Sequence, residues 1–577
     1  MHSTSLKFVL LALSLCSSFL DVNALPQFDP RQLPADPVGL TTITSPTGVT
    51  IRYKQPGLEG VCETTPGVNS YSGYVDLAPD AHTFFWFFEA RNNPAEAPLT
   101  LWLNGGPGSD SLIGLFQELG PCNVTEDLES MVNPYSWTEV SNMLFLSQPL
   151  GVGFSYSESE PGSLNPYTGE TENATFGVSG RWPVINATEL DTTDLSAIAT
   201  WHVLQGFLAN LPQLDAKLGS GTKTFNLWTE SYGGHYGPSF YNYFYEQNEM
   251  IRNGTANGTE LIFDTLGIGN GILDLYTQAP YYPEFTQYNS YGIQLVNETV
   301  YDYMKFACNM PLYGCLAQVD ACRQVNRSTE VGQLYCAQAT DQCRTNVEQP
   351  YYVFGGRGVY DIRHPYDDPT PPSYFNDYLN KADVQNALGV NLNYTQSNND
   401  VSYAFQMTGD FAYPNFIEDL EMILNNSVRV ALFYGDADYI CNWFGGQAVS
   451  LAVNYTHKAE FAAAGYTPFI VDGDEYGEVR EYGNFSFLRI YEAGHEVPFY
   501  QPLASLEFFR RVLGNRDIAT GGQELTGMYS TNGNANATHT EPFVPLSTTE
   551  ALASSVATAS ASGSMTVTPM AMPTYKP

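Results

Sequence analysis

The sequence predicts an α/β protein with a mostly parallel central sheet and helices on both faces. Three observations carry this. Short apolar runs recur, each stopped by a Gly-rich or polar turn. A long stretch at helical spacing, Asp191 to Leu211, sits between two of them. The 577 residues are 43% hydrophobic and 15% charged, enough for a large core and too apolar for a disordered chain.

The elements follow in order. Tyr71 to Val75 and Thr83 to Phe88 are aromatic, β-prone runs. Leu99 to Leu103 ends in Asn104-Gly105-Gly106-Pro107-Gly108, and Met143 to Leu146 ends before Gln148-Pro149. Phe225 to Trp228 runs into Thr229-Glu230-Ser231-Tyr232-Gly233-Gly234, and Leu266 to Ile268 into Gly269-Asn270-Gly271. Val428 to Tyr434 ends in Gly435-Asp436-Ala437-Asp438, and Phe487 to Tyr491 in Glu492-Ala493-Gly494-His495. In parallel sheets, sites collect at the carboxyl ends of strands, where these turns lie.

Composition also sets the organisation. Residues 1–24 read as a secretory signal peptide: Lys7, an apolar run from Phe8, and the small-residue site Val22-Asn23-Ala24. No later stretch reads as an integral membrane segment. Core is expected over 25–271 and 373–520, with a Cys-rich cap inserted at 272–372. Residues 521–577 turn to Ser, Thr, Ala, Asn and Gly and read as a disordered or O-glycosylated tail. Eight cysteines remain after the signal, five of them within Cys308–Cys343, which points to disulfides in an oxidising compartment. Twelve N-x-S/T sequons fit a secreted glycoprotein and place those segments on the surface. Cell-wall association and oligomeric state are left open. With 24 Lys and Arg against 61 Asp and Glu, the net charge is −37, which argues against nucleic acid as a partner.

Thr229-Glu230-Ser231-Tyr232-Gly233 approximates a nucleophile elbow, a sharp strand-to-helix turn that lifts a serine hydroxyl above the sheet. A serine needs a base. Of the eight histidines, His495 ends a strand late in the chain, whereas His235 lies on the helix the elbow opens and His364 in the cap region. The orienting acid falls between Ser231 and His495, and Asp436 and Asp438 both qualify. The glycines of Asn104 to Gly108 allow close backbone approach, so an N–H there and the one after Ser231 suit an oxyanion hole. His495-Glu496-Val497-Pro498-Phe499 is not H-E-x-x-H, so no metal site is expected, and no cofactor.

Together with Glu118-Leu119-Gly120-Pro121, Gly151-Val152-Gly153-Phe154-Ser155-Tyr156 and Tyr439-Ile440-Cys441-Asn442-Trp443, these motifs resemble the serine carboxypeptidases. The likeness spans roughly Tyr71 to Leu513 and is nearest the secreted fungal carboxypeptidase S group, a relative of carboxypeptidase Y. It implies an α/β-hydrolase fold and release of single C-terminal amino acids from peptides and proteins through an acyl-enzyme. It implies broad side-chain tolerance with a lean toward basic residues. By the resemblance, Ser231 is the nucleophile, His495 the base and Asp438 the orienter. Gly106 and Tyr232 form the oxyanion hole, and Asn104, Gly105, Glu118 and Glu230 take the substrate carboxylate. Two close carboxyls cannot both ionise cheaply, so a neutral Glu230 and an acid optimum are expected.

Thr229 replaces the family's usual glycine, and Ser109 stands where many relatives carry a cysteine whose partner is also missing from residues 368–373. Cys441 resembles the family's free thiol beside the active site, and if it is free then Cys308 or another cysteine is too. The alternatives are an esterase or acyltransferase on the same fold and a catalytically inactive cell-surface glycoprotein.

Overall fold

The computed structural model describes residues 33–546 except 165–170, 173–177, 219–222 and 414. The expected signal peptide, the sequon at Asn173 and the tail beyond 546 lie outside the described residues.

Twelve strands form one sheet: β1 (Thr41–Thr44), β2 (Thr50–Lys54), β3 (Ser70–Ala78), β4 (Ala81–Phe88), β5 (Leu99–Leu103), β6 (Asn142–Leu146), β7 (Thr224–Glu230), β8 (Ile262–Gly269), β9 (Arg429–Gly435), β10 (Thr467–Val471), β11 (Asp474–Tyr482) and β12 (Phe485–Ile490). Their order is β1-β2-β3-β4-β6-β5-β7-β8-β9-β12-β11-β10. The five central pairings, from β6–β5 to β9–β12, are parallel. Antiparallel meanders flank them on both sides.

The central strands are buried on both faces, so their sequences are apolar without a polar side. On β7, Phe225 and Leu227 face one core, which Trp201, Leu204 and Phe207 of α1 (Thr193–Leu214) and Phe240 and Phe244 of α2 (Gly233–Arg252) complete. Trp228 faces the other core, with Trp102, Phe433 and Phe508 and Phe509 of the C-terminal helix Pro502–Leu513. Helices therefore cover both faces. Thr192 caps α1, its hydroxyl accepting from the Leu195 N–H at 3.3 Å.

One expectation about organisation needs correction. Between β8 and β9 the chain is helical on both sides of residue 372, and beyond it Phe375, Leu388 and Leu420 are buried in the cores that flank the sheet. The ordered chain, however, does not end near 521. Residues 521–546 fold back on the sheet: Thr531 N donates to Glu481 O at 3.0 Å, and Tyr466 and Asn534 exchange backbone bonds. Arg489 and Arg357 then donate to the carbonyls of His539 and Val544. Backbone carbonyls offered to buried arginines hold a segment whose own side chains bury little.

Disulfides join Cys62–Cys122, Cys315–Cys343 and Cys322–Cys336, while Cys308 and Cys441 are free and buried. The sequon at Asn393 is not at the surface. That residue is buried, its Oδ1 accepting from the Arg181 N–H at 2.9 Å. Among the described residues, no helix is long and apolar enough to cross a membrane.

Candidate active site

The site sits above the carboxyl ends of β5, β7, β8, β9 and β12. Ser231 follows β7 directly and has φ +64°, the strained left-handed turn that a nucleophile elbow requires. Its N–H donates to Gly269 O, and its carbonyl accepts from Ile272 and Gly234. Thr229 fits in place of the usual glycine because its hydroxyl donates to Gly233 O at 2.8 Å. A Cβ on Gly233 would lie 2.5 Å from the Thr229 Cβ, so glycine is needed at 233 beside this threonine. Ser109 bridges to Ser397 rather than to residues 368–373, with the two hydroxyls 3.3 Å apart.

The two acids at the end of β9 have different partners. His495 Nδ1 lies 2.7 Å from Asp438 Oδ2. Asn270, in the turn after β8, donates its Nδ2 to the same oxygen at 2.8 Å and holds it. Asp436 faces away, taking the Tyr291 hydroxyl at 2.7 Å and the Arg489 guanidinium at 3.3 Å. Asn270 was visible in the sequence only as a turn residue, and nothing local to it signals its partner.

Burial alone lowers the affinity of His495 for a proton, but Asp438 and Cys441 outweigh it and raise it well above the ordinary histidine value. Burial pushes the Cys441 thiol up to about 11, so at working pH it is neutral and Asp438 supplies the charge. Among the described residues, Asp438, Cys441 and His495 alone group metal-ligand atoms, within 4.8 Å of one another, and the acid and imidazole are already engaged with each other.

On the far side of the imidazole, Nε2 lies 3.9 Å from Glu230 Oε1. Asn104 fixes this corner with all its hydrogen-bonding capacity. Its Oδ1 accepts from Trp102 Nε1 at 2.8 Å and the Gly114 N–H at 2.9 Å, so its Nδ2 must face the acids. Nδ2 donates to Glu118 Oε1 at 3.2 Å and Glu230 Oε1 at 3.1 Å. Burial and then the neighbouring Glu118 charge hold Glu230 well above the ordinary glutamate value, and burial raises Glu118 as well. Two buried carboxyls side by side share a proton, and it belongs on Glu230. A third carboxyl, Glu496, is pushed up to about 7 by burial. Sequence reasoning gave it no role.

Gly105 lets the Asn104–Gly108 loop close on the elbow. A Cβ there would fall 2.3 Å from Tyr232 N and 2.9 Å from the Ser231 Cβ. Gly106 has φ +109°, which side-chain-bearing residues rarely adopt. The nine residues singled out from the sequence, Asn104, Gly105, Gly106, Glu118, Glu230, Ser231, Tyr232, Asp438 and His495, thus converge on one site.

A family model described as serine carboxypeptidase matches residues 56–515. Carboxypeptidase S1 homolog A of Arthroderma otae is 42% identical over 88% of this chain and 83% of its own. Carboxypeptidase S1 of Penicillium janthinellum is 38% identical over 80% of this chain and 99% of its own. In fold, the chain is similar to the prohormone-processing carboxypeptidase Kex1Δp of Saccharomyces cerevisiae, with a TM-score of 0.61 and 22% identity over 80% of this chain and 96% of that one. The chain belongs to the serine carboxypeptidase family.

Proposed function

We propose that the protein is a secreted exopeptidase that removes one residue at a time from peptide and protein C-termini through an acyl-enzyme, most effectively in acid. The proton-sharing carboxyl pair beside His495 carries this reading. An α-carboxylate cannot approach two ionised glutamates, but it can accept a hydrogen bond from a protonated Glu230, and from Asn104 Nδ2 in exchange for the bond that group gives Glu230. A carboxylate seated there sets the last peptide bond over Ser231.

Ser231 Oγ then attacks the scissile carbonyl while His495 Nε2 takes its proton. Asp438 holds the imidazole in the tautomer with its proton on Nδ1 and stabilises the imidazolium. The N–H groups of Gly106 and Tyr232 receive the negative charge that develops on the carbonyl oxygen. His495 returns the proton to the leaving amino acid, and water repeats the sequence on the ester. An ester without a free carboxylate has no use for the Asn104–Glu230 corner, which sets the esterase reading aside.

A cavity of about 450 Å³ beside the site is lined by Tyr360 and Ile440, next to the catalytic turns, and by Asp361, His364 and Asp368. Arg363 neutralises Asp361. Burial raises Asp368, but hydrogen bonds from Thr370 and the His364 ring hold it below the ordinary carboxylate range. An anionic Asp368 supports the lean toward basic side chains. The three disulfides support an oxidising destination, and recovery of the mature chain from culture medium checks secretion. A fluorophosphonate serine probe tests the acyl-enzyme: it labels the protein but not its Ser231→Ala variant, and equal labelling of both would refute the assignment.

A further inference from the structure

Tyr232 contributes a backbone N–H to the proposed oxyanion hole, yet its side chain does not point toward substrate. It is fully buried, and its hydroxyl donates to Asp410 Oδ2 at 2.6 Å across 178 residues of sequence. The ring stacks on His235 at 4.4 Å and packs against Phe411, the residue after Asp410, at 4.9 Å. The phenol is thus clamped at its tip by Asp410 and on its ring by Phe411, both from the helices between β8 and β9, and by His235 of α2.

Asp410 is itself held on every side. Its Oδ2 also accepts from Thr193 Oγ1 at 2.5 Å, and its Oδ1 accepts from Thr193 N at 3.2 Å and Arg327 Nη1 at 3.1 Å. Arg327 lies in the turn between the cap helices Cys315–Arg323 and Glu330–Cys343, which the Cys322–Cys336 and Cys315–Cys343 disulfides staple. It also pairs with Asp194 on α1 and lies over the Tyr413 ring at 4.0 Å. The residue before Asp410 is Gly409, with φ +72°, and a Cβ there would fall 2.3 Å from Cys336. The stapled helix therefore fixes the backbone that presents Asp410.

We propose that Asp410 is a positioning residue for the oxyanion hole. By anchoring the Tyr232 phenol to the stapled cap, it holds the Tyr232 N–H on the line where the oxyanion forms. The assignment rests on the serine-protease reading above and adds the means by which one of its two donors is kept in place. A hydrogen bond to the tip of a long buried side chain has leverage over the backbone that carries it. Small displacements of a donor matter because its strength is realised only in the transition state.

The test separates transition-state from ground-state effects in the full-length protein. Tyr232→Phe deletes one oxygen and leaves the packing, so it folds even where Asp410→Asn does not. On an N-blocked dipeptide, Tyr232→Phe is expected to lower kcat about tenfold, short of the 10²–10³-fold for losing a donor outright, with KM within about twofold. An N-blocked amino aldehyde, whose adduct with Ser231 places an oxyanion in the hole, should weaken in the same proportion. The free amino-acid product, which reads only the carboxylate corner, should bind as before. Asp410→Asn should move the same constants, and the double variant should lose little more than the worse single one, because both cut one link. A lowered Tm with unchanged kcat and unchanged aldehyde affinity in Tyr232→Phe would overturn the proposal, as would a rise in KM alone. A wild-type protein with no peptidase activity would instead remove the reading on which it rests.

Discussion

At the scale of the residue, the site works by fixing which proton sits where. Glu230 carries a proton because burial and Glu118 make its charge costly, and on the other side of the imidazole Asn270 and His495 both hydrogen-bond Asp438 Oδ2. The pH consequence has a definite sign. Below its raised pKa, Glu230 is neutral and donates to the substrate carboxylate. As pH rises through that value it ionises and repels the same carboxylate, so KM climbs. Glu230→Gln keeps a neutral donor at every pH, and its KM should be nearly flat where the wild type's rises; parallel profiles would remove Glu230 from binding. His495 responds in the opposite sense, losing its proton and gaining function as a base as pH rises, and because Asp438 raises it this limb limits how far the optimum moves into acid, so kcat/KM should be bell-shaped. Gly105→Ala places a Cβ 2.3 Å from Tyr232 N, and kcat should fall about 10²–10³-fold, the cost of one oxyanion donor. An active Gly105→Ala enzyme would show that this N–H is not used. Ser231 and His495 were legible only together, each following a strand with an acid between them in chain order, since either turn alone is an ordinary one. Spacing did not separate Asp436 from Asp438, since both occupy the same turn; the family resemblance alone favoured Asp438, and in the fold Arg489 and Asn270, distant in sequence, distinguish the two.

At the scale of the element, the strands were legible and the excursions were not. Central strands announce themselves by apolar runs between turns, because burial on both faces permits little else. The helices of residues 375–425 carry no such boundary, and composition alone could not tell cap from core. The segment 521–546 misled for a clearer reason. It is attached through its backbone carbonyls to Arg489 and Arg357 and through backbone bonds of Thr531 to Glu481 and of Asn534 to Tyr466, and its polar side chains resemble those of a free tail. A chain ending at residue 534 leaves those buried guanidinium groups short of acceptors, at about 1–3 kcal/mol each. It should melt several degrees below the full-length protein, while a chain ending at 547 should match it. Equal melting of all three would show that the segment is not held. Asn393 separates motif from surface in the same way: glycopeptide mass spectrometry should find it unmodified, because a glycan there would displace the contacts with Arg181. A glycan at Asn393 would contradict the placement of that turn.

At the scale of the whole molecule, the same electrostatics set the working range. Asp110 and Glu496 are pushed up to about 7 by burial. Between an unfolded carboxylate's value of roughly 4 and that point, the fold holds protons that the unfolded chain has released. Their contribution to stability is therefore complete in acid and disappears as pH rises toward 7. The net charge of −37 adds self-repulsion in the same direction. Calorimetry should give a Tm several degrees higher at pH 5 than at pH 8, and the reverse order would show that other groups dominate. The expected stability profile and the proposed substrate binding both favour acid, and the binding turns on recognition of a free C-terminus being the function of the buried carboxyls. That recognition is tested most directly by amino-acid release from N-blocked dipeptides with free or amidated C-termini, followed from acid to neutral pH. Fast release from free ends, strongest in acid, with little from amides, is the predicted result. Equal attack on both, or no release with Ser231 intact, would contradict the carboxylate site formed by Asn104, Glu118 and Glu230.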